Sequence, residues 1–269
     1  HKNKDTEDPA DRKKGGWLMS GYAFFSSESV TEGHPDKLCD QISDAIADRF
    51  LQQDPHAEVD AECAIAKGIV FIATRFASIA SVDVTEVARG IITEIGYRKA
   101  DFDGRTCSVI TSLSESAAYD EHSLDPEHLT DKDIENIGAR NQASVFGFAC
   151  KETNVLMPLP IWLAHKLARR LAAVRLGGVL PYLRPDGKTF AGVEYKNRVP
   201  WRIHTIVIST QYHLQINNTH REKQMKDDIL EAVIKHVFHD EPIKPDKETR
   251  IFINPEGEFT IGGPARSTG

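Results

Sequence analysis

The chain has 269 residues, of which 40% are hydrophobic, and it carries a formal net charge of −7 with a pI near 5.9. This length suits one large or two medium domains, and the acidic balance argues against a protein that coats nucleic acid. No apolar run approaches the roughly 18 residues of a membrane span, and no signal-peptide pattern is present, so we expect a cytoplasmic globular protein that binds neither nucleic acid nor membrane.

The start of the chain differs from the rest. Residues 1–20 are mostly charged or small, which predicts a disordered tail or a tag, and Met19 is a candidate natural start. The four cysteines, Cys39, Cys63, Cys107 and Cys150, are far apart and form no CxxC pair. They are therefore predicted to be reduced thiols, as is usual in the cytosol.

The most informative feature is the run Ser29–Lys37, which stands directly before a helical pattern. The apolar residues of that pattern recur every four positions and form one stripe: Leu38, Ile42, Ile46 and Phe50. His34, Asp36 and Lys37 should therefore lie near a helix N-terminus. Free backbone N–H groups there favour a phosphate, a lysine adds a positive charge, and an aspartate can hold Mg²⁺.

Two other interpretations of the same run stay open. Ser29 and Glu32 have the spacing of a capping box. Alternatively, Pro35 and Asp36 only begin the helix, and His34 belongs to an ordinary loop.

The rest of the first half alternates strands and helices. We predict a strand at Tyr22, a long or bent strand over Val59–Thr74 that includes Gly68, and a strand over Cys107–Leu113. A helix from about Thr85 should bury one stripe, formed by Val87, Ile91 and Ile95. Residues 114–136 are rich in acidic side chains, which predicts a linker or a mobile lid.

The second half repeats this alternation. A helix that begins near Pro160 and a helix over Glu222–Phe238 should each bury one stripe, namely Leu163, Leu167, Leu171 and Val174 in the first and Met225, Ile229, Val233 and Val237 in the second. A strand over Ile203–Thr210 lies between them. Strands over Arg250–Asn254 and Phe259–Gly262 should be joined by a turn with Pro255 and Gly257. The fold class is therefore α+β, with repeated units of a sheet and helices stacked on one of its faces.

By itself, the segment Asp186–Lys188 predicts a polar surface turn.

The segment Glu28–Asp48 resembles the N-terminal signature of the S-adenosylmethionine synthetase family. Further matches follow in the order of that family: Ala61–Cys63, Lys67–Gly68, Glu94–Tyr97, Val155–Pro158, Leu180–Lys188, Val207–Gln211 and Phe252–Pro264. The resemblance implies two of the family's three pseudo-threefold sheet-and-helix units. An N-terminal domain is expected at 21–116, a loop, linker or active-site lid at 117–136, a central domain at 137–264, and the start of a third domain at 265–269.

The resemblance also implies a reaction. In this family the methionine sulfur attacks C5′ of ATP and expels the triphosphate, which is then hydrolysed to phosphate and pyrophosphate. Mg²⁺ and K⁺ are the cofactors, ATP and L-methionine are the substrates, and the assembly is a homodimer or a dimer of dimers with shared sites.

Each implied residue role corresponds to one position of this sequence. His34 and Lys188 are the catalytic candidates, and Asp36 matches the magnesium aspartate. Glu62 matches a glutamate of the potassium site, although its pattern alone indicates a strand-edge carboxylate. The ATP contacts are His34, Asp186, Gly187, Lys188, Glu258 and Phe259. Phe259 would stack on adenine, although its pattern alone indicates a hairpin core residue.

The methionine side departs from the family pattern. Family members carry a glutamate where Arg75 stands, a glutamine near Ser116 and an aspartate at Asn141. A guanidinium at position 75 reverses the local charge and would repel the amino group of methionine. Two alternatives to an active synthetase therefore remain: a silent member that binds nucleotide or regulates a partner subunit, and a triphosphatase without alkyl transfer.

Overall fold

The computed structural model describes residues 21–99, 102–116, 129–138, 142–213 and 219–269. The predicted tail and most of the predicted lid lie outside these ranges. The helices are α1 (Pro35–Gln53), α2 (Val84–Ile95), α3 (Asp131–Asn136), α4 (Leu159–Leu176), α5 (Thr219–Ile229) and α6 (His236–Phe238), with a π-helical segment, Leu230–Lys235, joining α5 to α6. The strands are β1 (Tyr22–Val30), β2 (Glu58–Ala66), β3 (Ile69–Ala77), β4 (Arg98–Lys99), β5 (Phe102–Asp103), β6 (Ser108–Glu115), β7 (Leu183–Lys196), β8 (Val199–Tyr212) and β9 (Arg250–Ile253).

Two sheet-and-helix units share one chain order. Each has a helix, an antiparallel hairpin, a second helix and a final strand that pairs parallel with the second strand of the hairpin. In the first unit these are α1, β2–β3, α2 and β6; in the second they are α4, β7–β8, α5 with its continuation, and β9. Each unit has its own hydrophobic core, so the predicted α+β class is confirmed.

Both hairpins turn on two residues in the left-handed region, Lys67–Gly68 and Asn197–Arg198. Such two-residue turns match the right-handed twist of the paired strands. The prediction of one strand over Val59–Thr74 was therefore wrong, because Gly68 marks the turn between two strands and not a bend within one.

Strand β1 joins the sheet of the second unit. It pairs antiparallel with β7 from Tyr22 opposite Lys196 to Val30 opposite Lys188, which completes the four-stranded order β1-β7-β8-β9. The first unit keeps the three-stranded order β2-β3-β6. The chain thus passes from the four-stranded sheet to helix α1 immediately after Val30. This strand pairing does not test the predicted domain limits, which stay a prediction.

The helix patterns were predicted with unequal success. The stripes of α1, α4 and the α5–α6 helix are buried as predicted. In α2 the buried face is instead Val84, Ala88, Ile92 and Ile95, while Val87 and Ile91 are only partly buried. The small Ala88 made the buried face inconspicuous in the sequence.

The last residues of the predicted loop, linker or lid form helix α3, which begins with a capping box of Thr130 and Asp133. One further expectation needs correction. Phe259–Gly262 is not a strand; the segment is attached to β8 by the Tyr212 N–H, which donates to the Phe259 carbonyl at 3.0 Å. The turn before it is confirmed, with Asn254 and Gly257 at positive φ.

Candidate functional site

His34 is the N-cap of helix α1. Its Nδ1 accepts a hydrogen bond from the Asp36 N–H at 3.3 Å and lies 3.7 Å from Asp36 Oδ2. The His34 side chain is 22% exposed and that of Asp36 70%. The predicted place of both residues at the helix start is confirmed, and Asp36 presents its carboxylate to solvent.

The capping-box interpretation of Ser29 and Glu32 is wrong. Ser29 lies in β1, and its hydroxyl contacts His165 Nδ1 at 2.8 Å. The carboxylate of Glu32 forms an ion pair with Arg175 of α4. Glu32 therefore connects the two units and does not cap a helix.

The turn Thr31–His34 is held against β7. The Thr31 N–H donates to the Gly187 carbonyl at 2.9 Å, and the Thr31 hydroxyl donates to the Pro185 carbonyl at 2.6 Å. A Cβ at Gly33 would lie 2.3 Å from Cβ of Pro185. Only glycine allows this approach, which brings His34 close to β7.

Asp186 lies inside β7 and not in a surface turn. A register shift between Leu183 and Gly187 interrupts the pairing of β7 with β8 at this point. The Asp186 carboxylate is buried and accepts the Gly263 N–H at 2.6 Å. The turn prediction failed because a bulged strand and a turn share the same Pro-Asp-Gly composition.

Phe259 lies beside Asp186. A Cβ at Gly262 would come within 2.8 Å of the Phe259 ring and 3.0 Å of Asp186 Oδ2. The Arg266 guanidinium lies 5.2 Å from the centroid of the Phe259 ring. Burial raises the pKa of the Asp186 carboxyl, while the Gly263 N–H and the nearby His34 and Arg266 act in the opposite direction. The structure thus brings His34, Asp186 and Phe259 together.

The other predicted ATP contacts lie nearby in the sequence but differ in exposure. Lys188 is half-exposed and pairs with Glu28 of β1. Its neighbour Thr189 donates to the Ala164 carbonyl of α4, so Lys188 projects from the opposite face of the sheet. Gly187 is buried against Leu171, and Glu258 is exposed.

The candidate cation ligands are Asp36 for Mg²⁺ and Glu62 for K⁺. The described residues contain no group of three or more His, Cys, Asp or Glu side chains that could hold a metal by themselves. Mg²⁺ commonly binds through one or two carboxylates together with substrate phosphates, and the exposed Asp36 fits that mode. Glu62 in β2 is exposed and offers one carboxylate, so K⁺ at this position would need oxygen ligands from elsewhere.

The residues of the implied methionine side lie on the other sheet. Arg75 in β3 is paired with Asp60 of β2, with Nη2 3.6 Å from Oδ2, and both side chains are exposed. The Ser116 N–H donates to the Phe76 carbonyl at 2.7 Å. Asn141 lies outside the described residues. Arg75 in β3 and Ser116, the residue directly after β6, therefore lie at one end of the three-stranded sheet.

A groove of about 360 Å³ adjoins the helix start on the side of α4. Its basic side chains are Lys37, His165 and Arg169, over an apolar floor that includes Val30 and Trp162. Burial, followed by the nearby charges of Lys37 and Arg169, lowers the pKa of His165. Glu32 also lines the groove and pairs with Arg175, so Lys37 and Arg169 are the charges there that an anion could meet.

Sequence reasoning missed three residues that shape the site. Tyr97 donates to the Gly33 carbonyl, Arg175 pairs with Glu32, and Arg266 covers Phe259. Tyr97 stood in a matched motif but had no assigned role, and no sequence pattern pointed to Arg175 or Arg266.

The buried carboxylate of Asp186 yields a prediction about pH. Because burial raises its pKa, the folded state holds this proton more tightly than the unfolded chain does, and stability falls as pH rises from about 4 through the folded pKa. Asp186→Asn keeps an acceptor for Gly263 and removes the buried charge. We expect it to raise the free energy of unfolding at about pH 7.5, with the difference vanishing near pH 4, in urea titrations.

An aspartate with the opposite shift is the control. Arg105 lowers the pKa of the partly buried Asp103 to about 2, so Asp103→Asn should lose a little stability at neutral pH and not gain any. A lower stability of Asp186→Asn at about pH 7.5 would show that His34, Arg266 and Gly263 outweigh the cost of burial.

The fold and the site define a class: an α+β protein of repeated sheet-and-helix units, with a histidine-capped helix start packed against a bulged strand of the next unit. Two models of one family match most of the chain, the N-terminal domain of S-adenosylmethionine synthetase over 22–118 and its central domain over 136–259. The chain belongs to the S-adenosylmethionine synthetase family.

Curated relatives agree with this assignment. Proteins named S-adenosylmethionine synthase from Rippkaea orientalis, Thermosynechococcus vestitus and Trichormus variabilis are 46%, 47% and 48% identical to it. The alignments cover 93%, 91% and 93% of this chain and 62% of each relative. No helix among the described residues is long and apolar enough to cross a membrane.

Proposed function

We propose that this chain takes part in the synthesis of S-adenosylmethionine from ATP and L-methionine, and that it provides the nucleotide side of the site. The observation that carries this proposal is that His34, the N-cap of α1, lies close to the buried Asp186, which in turn lies beside Phe259, in a chain of this family. A homodimer or dimer of dimers and a cytoplasmic location belong to the same proposal.

The reaction needs alignment more than a protein nucleophile. The methionine sulfur forms a bond to C5′, the C5′–O bond breaks, and the tripolyphosphate departs with the electron pair before water cleaves it to phosphate and pyrophosphate. Cations along the leaving group stabilise the charge that develops there. Mg²⁺, with Asp36 as its ligand, would neutralise phosphate oxygens when bound.

The roles of the chain's own side chains follow from their contacts. His34 Nδ1 accepts a hydrogen bond, so in its neutral form the ring would carry its proton on Nε2 and could donate there to an oxygen of ATP. Lys188 would exchange Glu28 for a phosphate oxygen, and Phe259 would contact the adenine ring. Lys37, at the helix start, adds positive charge on the groove side.

One observation favours the second candidate, a silent member that binds nucleotide. Arg75 is a cation where the family carries a carboxylate, its exposed pair with Asp60 offsets that charge only in part, and a cation at this position opposes the amino group of methionine. Such a chain would bind ATP with Mg²⁺ and form no product.

The test is a mass-spectrometric assay of the purified chain with ATP, methionine, Mg²⁺ and K⁺. We expect S-adenosylmethionine together with pyrophosphate and phosphate. Asp36→Ala should abolish the product and weaken Mg²⁺-dependent ATP binding at least about tenfold, as loss of a metal ligand does. Lys188→Ala should abolish the product as well.

The matched control is Asp40→Ala, which removes another exposed carboxylate of α1 and should leave product formation intact. A folded chain that binds Mg²⁺ and ATP without forming product supports the silent member. A folded chain that binds no ATP contradicts both candidates.

A further inference from the structure

Tyr97 is a buried side chain that takes no part in the proposed reaction. It follows Gly96, the left-handed C-cap of α2, and its N–H donates to the Ile92 carbonyl at 3.2 Å. Its ring packs edge-on against Phe102, with centroids 5.4 Å apart. The backbone and the ring therefore fix the direction of the hydroxyl group.

The hydroxyl of Tyr97 reaches two segments of the candidate site. It donates to the Gly33 carbonyl at 2.5 Å, one residue before His34. It also packs against Gly263, where a Cβ would lie 2.1 Å from the hydroxyl oxygen. Gly263 has a φ of 59° and donates its N–H to Asp186. These contacts leave no space for a side chain at position 263.

We infer that Tyr97 is a positioning residue, which sets His34 through the Gly33 carbonyl and sets Asp186 through the backbone of Gly263. It belongs to the first unit, whereas Asp186 and Gly263 belong to the second part of the chain, so it also fixes their relative position. Where nucleotide binding is the readout, the inference rests on the proposed function.

The ionisation state of Tyr97 supports this role. Burial, followed by the negative charge of Asp186, raises the pKa of its hydroxyl far above the usual range. The group therefore remains a hydrogen-bond donor throughout the working pH range, as a permanent positioning contact requires.

The test compares Tyr97→Phe with Tyr195→Phe. Tyr195 is equally buried, and its hydroxyl donates to Glu152 at 2.6 Å in the core of the second unit. Each change removes one buried hydroxyl and the hydrogen bond that it donates, so both should lower stability. Only Tyr97→Phe should weaken the affinity for Mg²⁺-ATP, by about tenfold in calorimetry, a loss of about 1.4 kcal/mol.

A second readout does not depend on nucleotide. The ring resonances of His34, assigned by a His34→Gln comparison, should shift in Tyr97→Phe and stay in place in Tyr195→Phe. Incorporation of 4-aminophenylalanine at position 97 restores a donor and should return them towards their original positions.

The outcomes separate the two claims. If the parent chain does not bind Mg²⁺-ATP, the proposed function fails, and the His34 resonances still decide the role of Tyr97. If those resonances are the same in Tyr97→Phe and in the parent chain, the inference is overturned. It is also overturned if both phenylalanine variants shift the resonances equally, since the effect would then be only structural.

Discussion

Gly33→Ala is expected to cost about 3 kcal/mol of the free energy of unfolding, as overpacking of a close contact does. The added methyl group would lie 2.3 Å from Cβ of Pro185 and 2.5 Å from its carbonyl carbon. Neither atom belongs to a flexible side-chain end, so the turn before α1 must move away from β7. Urea unfolding of the parent chain and of Gly33→Ala measures the loss of stability. An unchanged dependence of the unfolding free energy on urea concentration would show that the folded state keeps its compactness.

Gly90→Ala is the matched control. Gly90 lies in α2, and a Cβ there would meet nothing within 4 Å. Because alanine favours a helix interior over glycine, this change should raise stability by about 0.5–1 kcal/mol. If Gly33→Ala changed stability no more than Gly90→Ala, the close approach of the turn to Pro185 would be wrong.

Glu32→Ala is expected to be similarly damaging, at about 3 kcal/mol. It leaves the guanidinium of Arg175 without its carboxylate in a largely buried position, where the two side chains are 14% and 20% exposed. The Arg175 Nε already lacks a hydrogen-bond partner among the described residues, so the guanidinium depends all the more on Glu32. Thermal and urea unfolding measure the effect.

The comparison pair is Glu222 and Lys226, an exposed ion pair one helical turn apart in α5. Glu222→Ala should change stability by less than about 0.5 kcal/mol, since solvent and salt already weaken such a pair. The double variant Glu32→Gln with Arg175→Met should recover part of the loss, because it leaves no buried charge. Equal effects of Glu32→Ala and Glu222→Ala would contradict a buried, structural ion pair.

Both predictions concern the same connection between the two units. Gly33 and Glu32 occupy the turn that carries the chain from the second sheet into α1, and His34 caps that helix. Loosening the turn should therefore also disturb His34. The His34 resonances proposed for the test of Tyr97 report on this directly.

The elements with strong periodicity were predicted well. The stripes of α1 and α4 are buried where the spacing of four placed them, because only one face of each helix is apolar. In α2 the predicted stripe was only partly right, since Ile95 is buried while Val87 and Ile91 are only partly buried. Alanine contributes little to a hydrophobic pattern, yet Ala88 is fully buried.

The position of His34 and Asp36 at a helix start also followed from the sequence, since Pro35 and the apolar stripe together mark where α1 begins. Asp186 did not follow in the same way. Its neighbours have the composition of a turn, and only pairing with β1 and β8 makes the segment part of a strand.

The sequence by itself determined the α+β class, the helix faces with clear periodicity, the position of the histidine cap and, through ordered matches, the family. These properties depend on residues within one or two helical turns of each other, or on motifs that follow one another in a fixed order. Both can be recognised in the sequence without a structure. The tertiary structure decided that β1 joins the second sheet, that Asp186 is buried beneath Gly263, and that Tyr97, Glu32 and Arg175 hold the turn before His34. Each of these features depends on contacts between residues that are distant in the sequence. The strength of such a contact depends on the burial of both residues, which exists only in the folded protein.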